Sequence, residues 1–266
     1  MLYMIGLGLG DEKDITLKGL EAIKESEYIY FENYTSISNA IKGLEKLTKK
    51  EFQPANRDLV ENRAEEIIEK AKQSKVSFLV VGDVFGATTH TDLYLRAKKE
   101  NIQIKIINNT SIINAVGNTG LELYRFGQTT SIVFDDNGWM PDAPYKVIKQ
   151  NKERGLHTLC LLDIKTEEPS IENLKRGIKK PEPPRYMTIN KAIEILEKLE
   201  EKNKEEIITP ETLIVGIARL GTETETIISG TKNEIKTKNF GEPLHSLIIP
   251  GKLHEIEEEM LKQHKN

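Results

Sequence analysis

The apolar run Phe78-Leu79-Val80-Val81 stops abruptly at Gly82-Asp83-Val84-Phe85-Gly86-Ala87-Thr88-Thr89-His90-Thr91-Asp92. A short unbroken apolar run ending in Gly-Asp reads as a strand buried on both faces, as in a parallel sheet covered by helices. Ligands of such open sheets sit at the carboxyl ends of strands. Gly82 and Gly86 let the backbone approach a ligand with no Cβ between them. Asp83 is an acceptor for hydroxyls, a partner for a cation, or a cap for the turn itself. The polar run from Thr88 to Thr91 cannot continue the strand and offers hydroxyls and amides at a helix start. His90, inside that run, is open to a substrate role or a structural one.

The rest of the chain repeats this alternation. Leu2 to Leu7, Tyr28 to Phe31, Phe78 to Val81 and Ile102 to Ile107 read as strands. Between them, Val60, Ala64, Ile67, Ile68 and Ala71 recur at helical spacing, and Thr16, Leu17, Leu20 and Ile23 give a second helical face. The alternation predicts an α/β fold with a mostly parallel sheet in residues 1–108. A second α/β domain, 109–266, begins near Asn108-Asn109-Thr110-Ser111. Its expected strands are Ser131 to Phe134, Thr158 to Leu162, Leu213 to Ala218, Thr226 to Ile228 and Ser246 to Ile249, the late ones close enough for antiparallel hairpins. Lys180-Pro181-Glu182-Pro183-Pro184 breaks the chain before a helix carrying Ile189, Ala192, Ile193, Leu196 and Leu199. Glu197 to Glu206 reads as a helix end and solvated loop, and the tail after Lys252 as a short surface helix.

The first glycines, Gly6, Gly8 and Gly10, do not make a dinucleotide fingerprint, because Asp11 stands where its third glycine belongs, and no Gly-Lys-Ser/Thr follows. A tight strand-to-helix turn and a ligand loop both remain open. A net charge of −4 gives no reason to expect a nucleic-acid partner. The one cysteine, Cys160, lies in an apolar run and reads as a buried thiol rather than a nucleophile. Five scattered histidines without metal-ligand spacing predict no metal site. With neither a leader nor a membrane span in view, a cytoplasmic protein is expected.

Several segments together resemble one family. Met4-Ile5-Gly6-Leu7-Gly8-Leu9-Gly10-Asp11, Phe31-Glu32-Asn33-Tyr34-Thr35-Ser36, the Gly82–His90 segment, His157 to Lys165, Glu182 to Met187 and Gly241 to Ile249 match, in order, the diphthine synthase family of diphthamide biosynthesis. This family belongs to the wider tetrapyrrole-methylase-like group. The stretch from Asn151 to Met187 is closest to eukaryotic members. Most relatives carry Pro where Val84 stands, so a somewhat less rigid loop is expected here.

The resemblance implies a two-domain tetrapyrrole-methylase-like fold with S-adenosyl-L-methionine in the interdomain cleft, leaving as S-adenosyl-L-homocysteine. Carried over residue by residue, the cofactor positions are Leu9, Asp83, Gly86, Ser111, Ile112, Leu162, Leu220 and His245. On residue type alone, Leu162 and Leu220 are also ordinary core leucines, and His245 a structural histidine. Arg185 and Tyr186 bind an acidic substrate or pin their loop. No catalytic base is named by the sequence. The implied substrate is the 3-amino-3-carboxypropyl-modified histidine of elongation factor 2, taken to diphthine methyl ester by a homodimer. The alternatives are diphthine without the ester, a tetrapyrrole methyltransferase, or a non-catalytic protein that binds a translation factor. The intact Gly-Asp-x-x-Gly-Ala-Thr-Thr-His and Pro-Leu-His-Ser runs weigh against the last two.

Overall fold

The computed structural model describes residues 1–38, 40–88, 90–166 and 182–265, with Asn137 described by its backbone alone. Thr89, and the 167–181 portions of the Asn151 to Met187 and Pro-rich stretches, lie outside the described residues. The chain packs as two units, Met1–Ala115 with Gly221–Glu223, and Val116–Leu220 with Thr224–Asn266. The first runs beyond the division expected near Asn108, since Asn109 hydrogen-bonds back to loops of the first sheet.

The first unit contains β1 (Leu2–Gly6), α1 (Leu17–Glu25), β2 (Tyr28–Glu32), α2 (Ala40–Thr48), β3 (Gln53–Ala55), α3 (Glu65–Gln73), β4 (Val76–Val80), α4 (Thr91–Lys99), β5 (Ile104–Ile107) and α5 (Ile112–Ala115). All five strands run parallel in the order β3-β2-β4-β1-β5. Side chains alternate between the two faces, as the strand period of two requires. Leu2 and Met4 of β1 join Phe78 and Val80 of β4 in one core, with Ile67 and Ala71 of α3 and Leu93 of α4. Tyr3 and Ile5 join Leu79 in the other, with Ala22 and Ile23 of α1 and Leu44 of α2. β1 and β4 are neighbours, yet the chain leaves them for helices on opposite faces. That is a topological switch point, where open sheets part their loops at the carboxyl ends.

Two helical faces differ from expectation. Thr16 caps α1 by accepting from the Gly19 amide, which turns Leu17 outward, 79 % exposed. The buried stripe is instead Gly19, Ala22 and Ile23. A Cβ on Gly19 would stand 2.8 Å from Ile15 and 3.1 Å from Ile5, so the missing side chain lets α1 lie close to β1. Val60 shares the core with α3 but belongs to a separate wide turn, Asp58–Asn62.

The second unit contains β6 (Thr130–Ile132), α6 (Ala143–Glu153), β7 (Thr158–Leu162), the ribbon β8 (Ile164–Lys165) and β9 (Arg185–Tyr186), α7 (Ile189–Asn203), β10 (Leu213–Ala218), β11 (Thr226–Thr231), α8 (Lys232–Lys236), β12 (His245–Ile249) and α9 (Glu255–Gln263). Its main sheet, β11-β10-β12-β7-β6, is antiparallel except for the β6–β7 pair. The expected 197–206 loop is more than solvated surface. Glu200 accepts from the Glu206, Ile207 and Ile208 amides and the Tyr145 hydroxyl, and Glu197 holds Lys232 and Lys236. Among the described residues, no helix is long and apolar enough to cross a membrane.

The tail helix is likewise anchored. Glu257 of α9 is buried and accepts from the Glu122 amide and from Arg125, while His157 Nε2 lies 2.9 Å from its Oε1. His157 Nδ1 accepts from the Gly251 amide, so Nε2 carries the proton. Burial pushes the His157 imidazole below its ordinary value, against the pull of Glu257. Burial acts to raise the Glu257 carboxyl, but the His254 and Glu122 amides and His157 outweigh it and hold it low. With both folded values below the unfolded ones, the unfolded chain binds more protons in acid. Stability present above the unfolded values is therefore lost as pH falls, first below the ordinary histidine value of 6.5 and then below the carboxylate value of 4.5. Thermal midpoints should fall between about pH 7.5 and about pH 5.5, and less steeply in His157→Gln than in the native chain. Equal slopes in the two proteins would remove His157 from this role.

Candidate functional site

The turns after β1, β4 and β5 meet at the carboxyl edge of the first sheet. The Gly8 and Gly82 amides each donate to the other's carbonyl, at 3.1 and 2.7 Å, and the Leu7 amide donates to Val80 at 2.8 Å. Gly6 has to be glycine, because a Cβ there would stand 2.6 Å from the Gly82 carbonyl oxygen and 2.9 Å from Asn109. Gly82 has a different reason. Its φ of +78° lies in the left-handed region, and a Cβ would occupy the space between Ser111, at 3.5 Å, and Leu9, at 3.8 Å. The bare backbone leaves that space open, in a cradle formed by the two loops and Ser111.

Asp83 fastens these turns. Its Oδ1 accepts from the Phe85 amide at 3.1 Å, and its Oδ2 from the Asn109 amide at 2.9 Å and the Asn108 side chain at 3.1 Å. Burial acts to raise the carboxyl, but these donors outweigh it and hold Asp83 below the ordinary carboxylate value. The Gly86 amide adds to the same pull, so the carboxylate is engaged mainly by its own loops. Asn109 completes the join, with Nδ2 donating to the Gly6 and Asp14 carbonyls at 3.1 and 3.0 Å. Asp14 in turn accepts from the Gly10 amide at 2.7 Å. Ser111 starts α5, with its amide on Asn114 Oδ1 and its Oγ accepting from Ile113. Leu9 and Ile112 are half-buried beside it.

Five of the eight expected positions, Leu9, Asp83, Gly86, Ser111 and Ile112, thus fall on this one loop group. Asn108, Asn109 and Asp14 belong to it as well and were missed, although an Asn-Asn-Thr-Ser run directly after a strand carried the signal. Leu162, Leu220 and His245 gather separately in the second unit. There the end of β7, the end of β10 and the start of β12 adjoin, through Leu161 opposite Ser246 and Ala218 opposite His245. Leu162 and Leu220 are buried. His245 Nε2 donates to the Glu242 carbonyl at 3.1 Å and Nδ1 accepts from the Ile189 amide at 3.4 Å. Burial lowers this imidazole, and with both nitrogens engaged it is a neutral pin rather than a proton carrier.

The remaining candidates resolve into structural roles. Cys160 is fully buried, its thiol pushed up to about 12 by burial, which removes it as a nucleophile. Arg185 pairs with Asp136 at 2.7 Å and lies over the Phe134 ring, so it pins its ribbon. Val84 is completely buried among Tyr34, Phe78 and Val80, so its side chain anchors the loop into the core. His90 is buried as well, with its ring against Phe78 and Tyr34.

The tetrapyrrole (corrin/porphyrin) methylase family matches residues 1–236 of the chain. The diphthine methyl ester synthase of Dictyostelium discoideum is 52 % identical over 262 residues, covering 97 % of this chain and 96 % of that protein. The diphthine methyl ester synthase of Mus musculus is 51 % identical over 267 residues, covering 98 % of this chain and 95 % of that one. A crystal structure of a diphthine synthase superposes with a TM-score of 0.84 at 34 % identity, covering 99 % of this chain and 95 % of the other.

The steric fit at Gly86 can be tested directly. A Cβ there would stand 2.6 Å from Ser111 Oγ and 2.7 Å from its Cβ. Gly86→Ala should therefore destabilise the protein by about 1–3 kcal/mol, and a second change, Ser111→Gly, should recover most of that loss. Asp83→Ala should cost about 1–3 kcal/mol by stranding the Asn109 and Phe85 amides. Chemical denaturation measures all three; additive losses in the double variant would refute the contact.

Proposed function

The chain belongs to the tetrapyrrole methylases and, within them, to the diphthine methyl ester synthase family, and on that footing we propose that it methylates the 3-amino-3-carboxypropyl-modified histidine of elongation factor 2, giving diphthine methyl ester. The observation that carries the reading is 52 % identity over nearly the full length with an enzyme of that name, in a chain whose glycine loops stay intact at the sheet's switch point. The cofactor is S-adenosylmethionine, which supplies, when bound, a methyl group on a sulfonium leaving group.

The chain's own part is binding, orientation and exclusion of water. Gly82 and Gly86 give backbone without side chains, Leu9 and Ile112 give apolar surface, and Asp83 keeps the turns in register. Leu162, Leu220 and His245 are proposed as further cofactor contacts on the family resemblance, His245 through its ring face because its nitrogens are occupied. A substrate amine must lose its proton before it attacks, whereas an ionised carboxylate is ready to attack as it stands. The same site can therefore follow N-methylation with ester formation without a second catalytic group. A homodimer working in the cytoplasm completes the reading.

Mass spectrometry of elongation factor 2 bearing the aminocarboxypropyl histidine, after incubation with the chain and S-adenosylmethionine, should show added methyl groups on that residue. Brief mild alkali should remove one of them, since it cleaves an ester and leaves a quaternary ammonium intact. A product unchanged by alkali would favour diphthine over its ester. Absence of any methylation would overturn the reading.

A further inference from the structure

Glu32 and His90 are two fully buried ionisable side chains with no part in methyl transfer as described so far. Glu32 ends β2. Its Oε1 accepts from the Tyr34 and Thr35 amides, both at 2.6 Å, and its Oε2 from the Thr35 hydroxyl. Burial acts to raise this carboxyl, but His90, the Thr35 hydroxyl and amide and the Tyr34 amide outweigh it and keep Glu32 an anion. His90 Nε2 lies 3.8 Å from Oε2, close but too long for a hydrogen bond. Among the described residues, neither imidazole nitrogen has a hydrogen-bond partner. The ring meets Phe78 and Tyr34 edge-on, with centroids at 5.1 and 6.3 Å, and the Arg57 guanidinium lies over Tyr34 at 5.3 Å.

As a filler of apolar space, a histidine in this position is a poor choice. A phenylalanine would make the same edge contacts and strand no polar atoms. What the imidazole adds is a polar edge beside the buried carboxylate, which among the described residues has no Lys or Arg ion-pair partner. The location gives that contact a purpose. The loop leaving β4 is tied at its start by Asp83 to Asn109 and enters α4 just after His90. Between these points Phe85 is exposed and Ala87 holds a left-handed φ of +63°, a conformation that persists only where both flanks are held.

We propose that Glu32 and His90 form a buried latch that fixes the far end of the Gly82–Asp83 loop to β2 and so positions Gly86 and its neighbours for the cofactor. Both residues are positioning residues, and the functional part of the proposal rests on this loop being the cofactor loop. Breaking the latch frees the loop from one side while leaving the sheet and its two cores in place.

The test uses the full chain with His90→Phe, His90→Gln and Glu32→Gln, each followed by thermal unfolding, hydrogen exchange of the Phe85 and Gly86 amides, and calorimetric titration with S-adenosylhomocysteine. His90→Phe should keep the melting temperature near the native value, because removing two stranded nitrogens offsets the polar neighbour that Glu32 loses. Exchange at the two amides should nevertheless rise about tenfold as the loop opens more often. Affinity for S-adenosylhomocysteine should fall about tenfold, and the KM for S-adenosylmethionine should rise with kcat little changed. Glu32→Gln should behave alike, and His90→Gln, which keeps a polar group beside the carboxylate, should stay within about threefold of the native chain. Native-like exchange in a folded His90→Phe or Glu32→Gln overturns the latch whether or not the protein binds the cofactor. Failure of both variants to fold also overturns it, by making the pair a requirement of the fold. A native chain that does not bind S-adenosylhomocysteine, but whose variants show faster exchange, keeps the latch and overturns the cofactor reading instead.

Discussion

Asn109 holds the carboxyl edge of the first sheet together. Its amide reaches Asp83 after β4, and its side chain reaches Gly6 at the end of β1 and Asp14 on the following turn. Three loops from three neighbouring strands thus share one residue's hydrogen bonds. The glycines are consequences of that join, because Gly6 lies too close to Gly82 and to Asn109 for any side chain. The order β3-β2-β4-β1-β5 puts the join where chain connections diverge to opposite faces, the place where open sheets of this kind bind their ligands. Loops fastened there by their own backbone and polar groups present a preformed surface, so little ordering remains to be done when a ligand arrives.

Much of this was legible in the sequence. The apolar run at Phe78 to Val81, broken by Gly-Asp, marked a doubly covered strand and its loop. The strands Leu213 to Ala218 and Thr226 to Ile228, with seven residues between them, marked an antiparallel pair. The elements that were not legible share a physical cause. α4 buries only Leu93 and Ala97 along nine residues, and α2 only Ala40 and Leu44, so their apolar stripes are too thin to stand out from charged neighbours. Leu17 fits the helical period of α1, but the Thr16 cap fixes the helix start and turns that position to solvent. Periodicity could not have shown this without the cap geometry.

The site shows the same division. Gly86 and Asp83 announced themselves by residue type and by their place after a strand. Asn109 did not, because a polar residue in a loop ordinarily meets water, and its importance arises from three strands converging in space. His245 was singled out by the family resemblance, yet residue type could not reveal that both its nitrogens are taken by backbone groups. Membership of the diphthine methyl ester synthase family supplies what geometry alone does not: a methyl donor and a protein-bound acceptor. The geometry supplies limits in return, excluding Cys160 as a nucleophile and His245 as a proton carrier.

A crystal structure of the full chain grown with S-adenosylhomocysteine tests most directly whether the joined loops hold the cofactor. The ligand should lie against Leu9, the Gly82–Gly86 turn and Ser111–Ile112, with the Asp83–Asn109 hydrogen bond intact. A ligand bound away from all three turns, or one that enters only by breaking the Asp83–Asn109 join, would contradict the central role given to that edge.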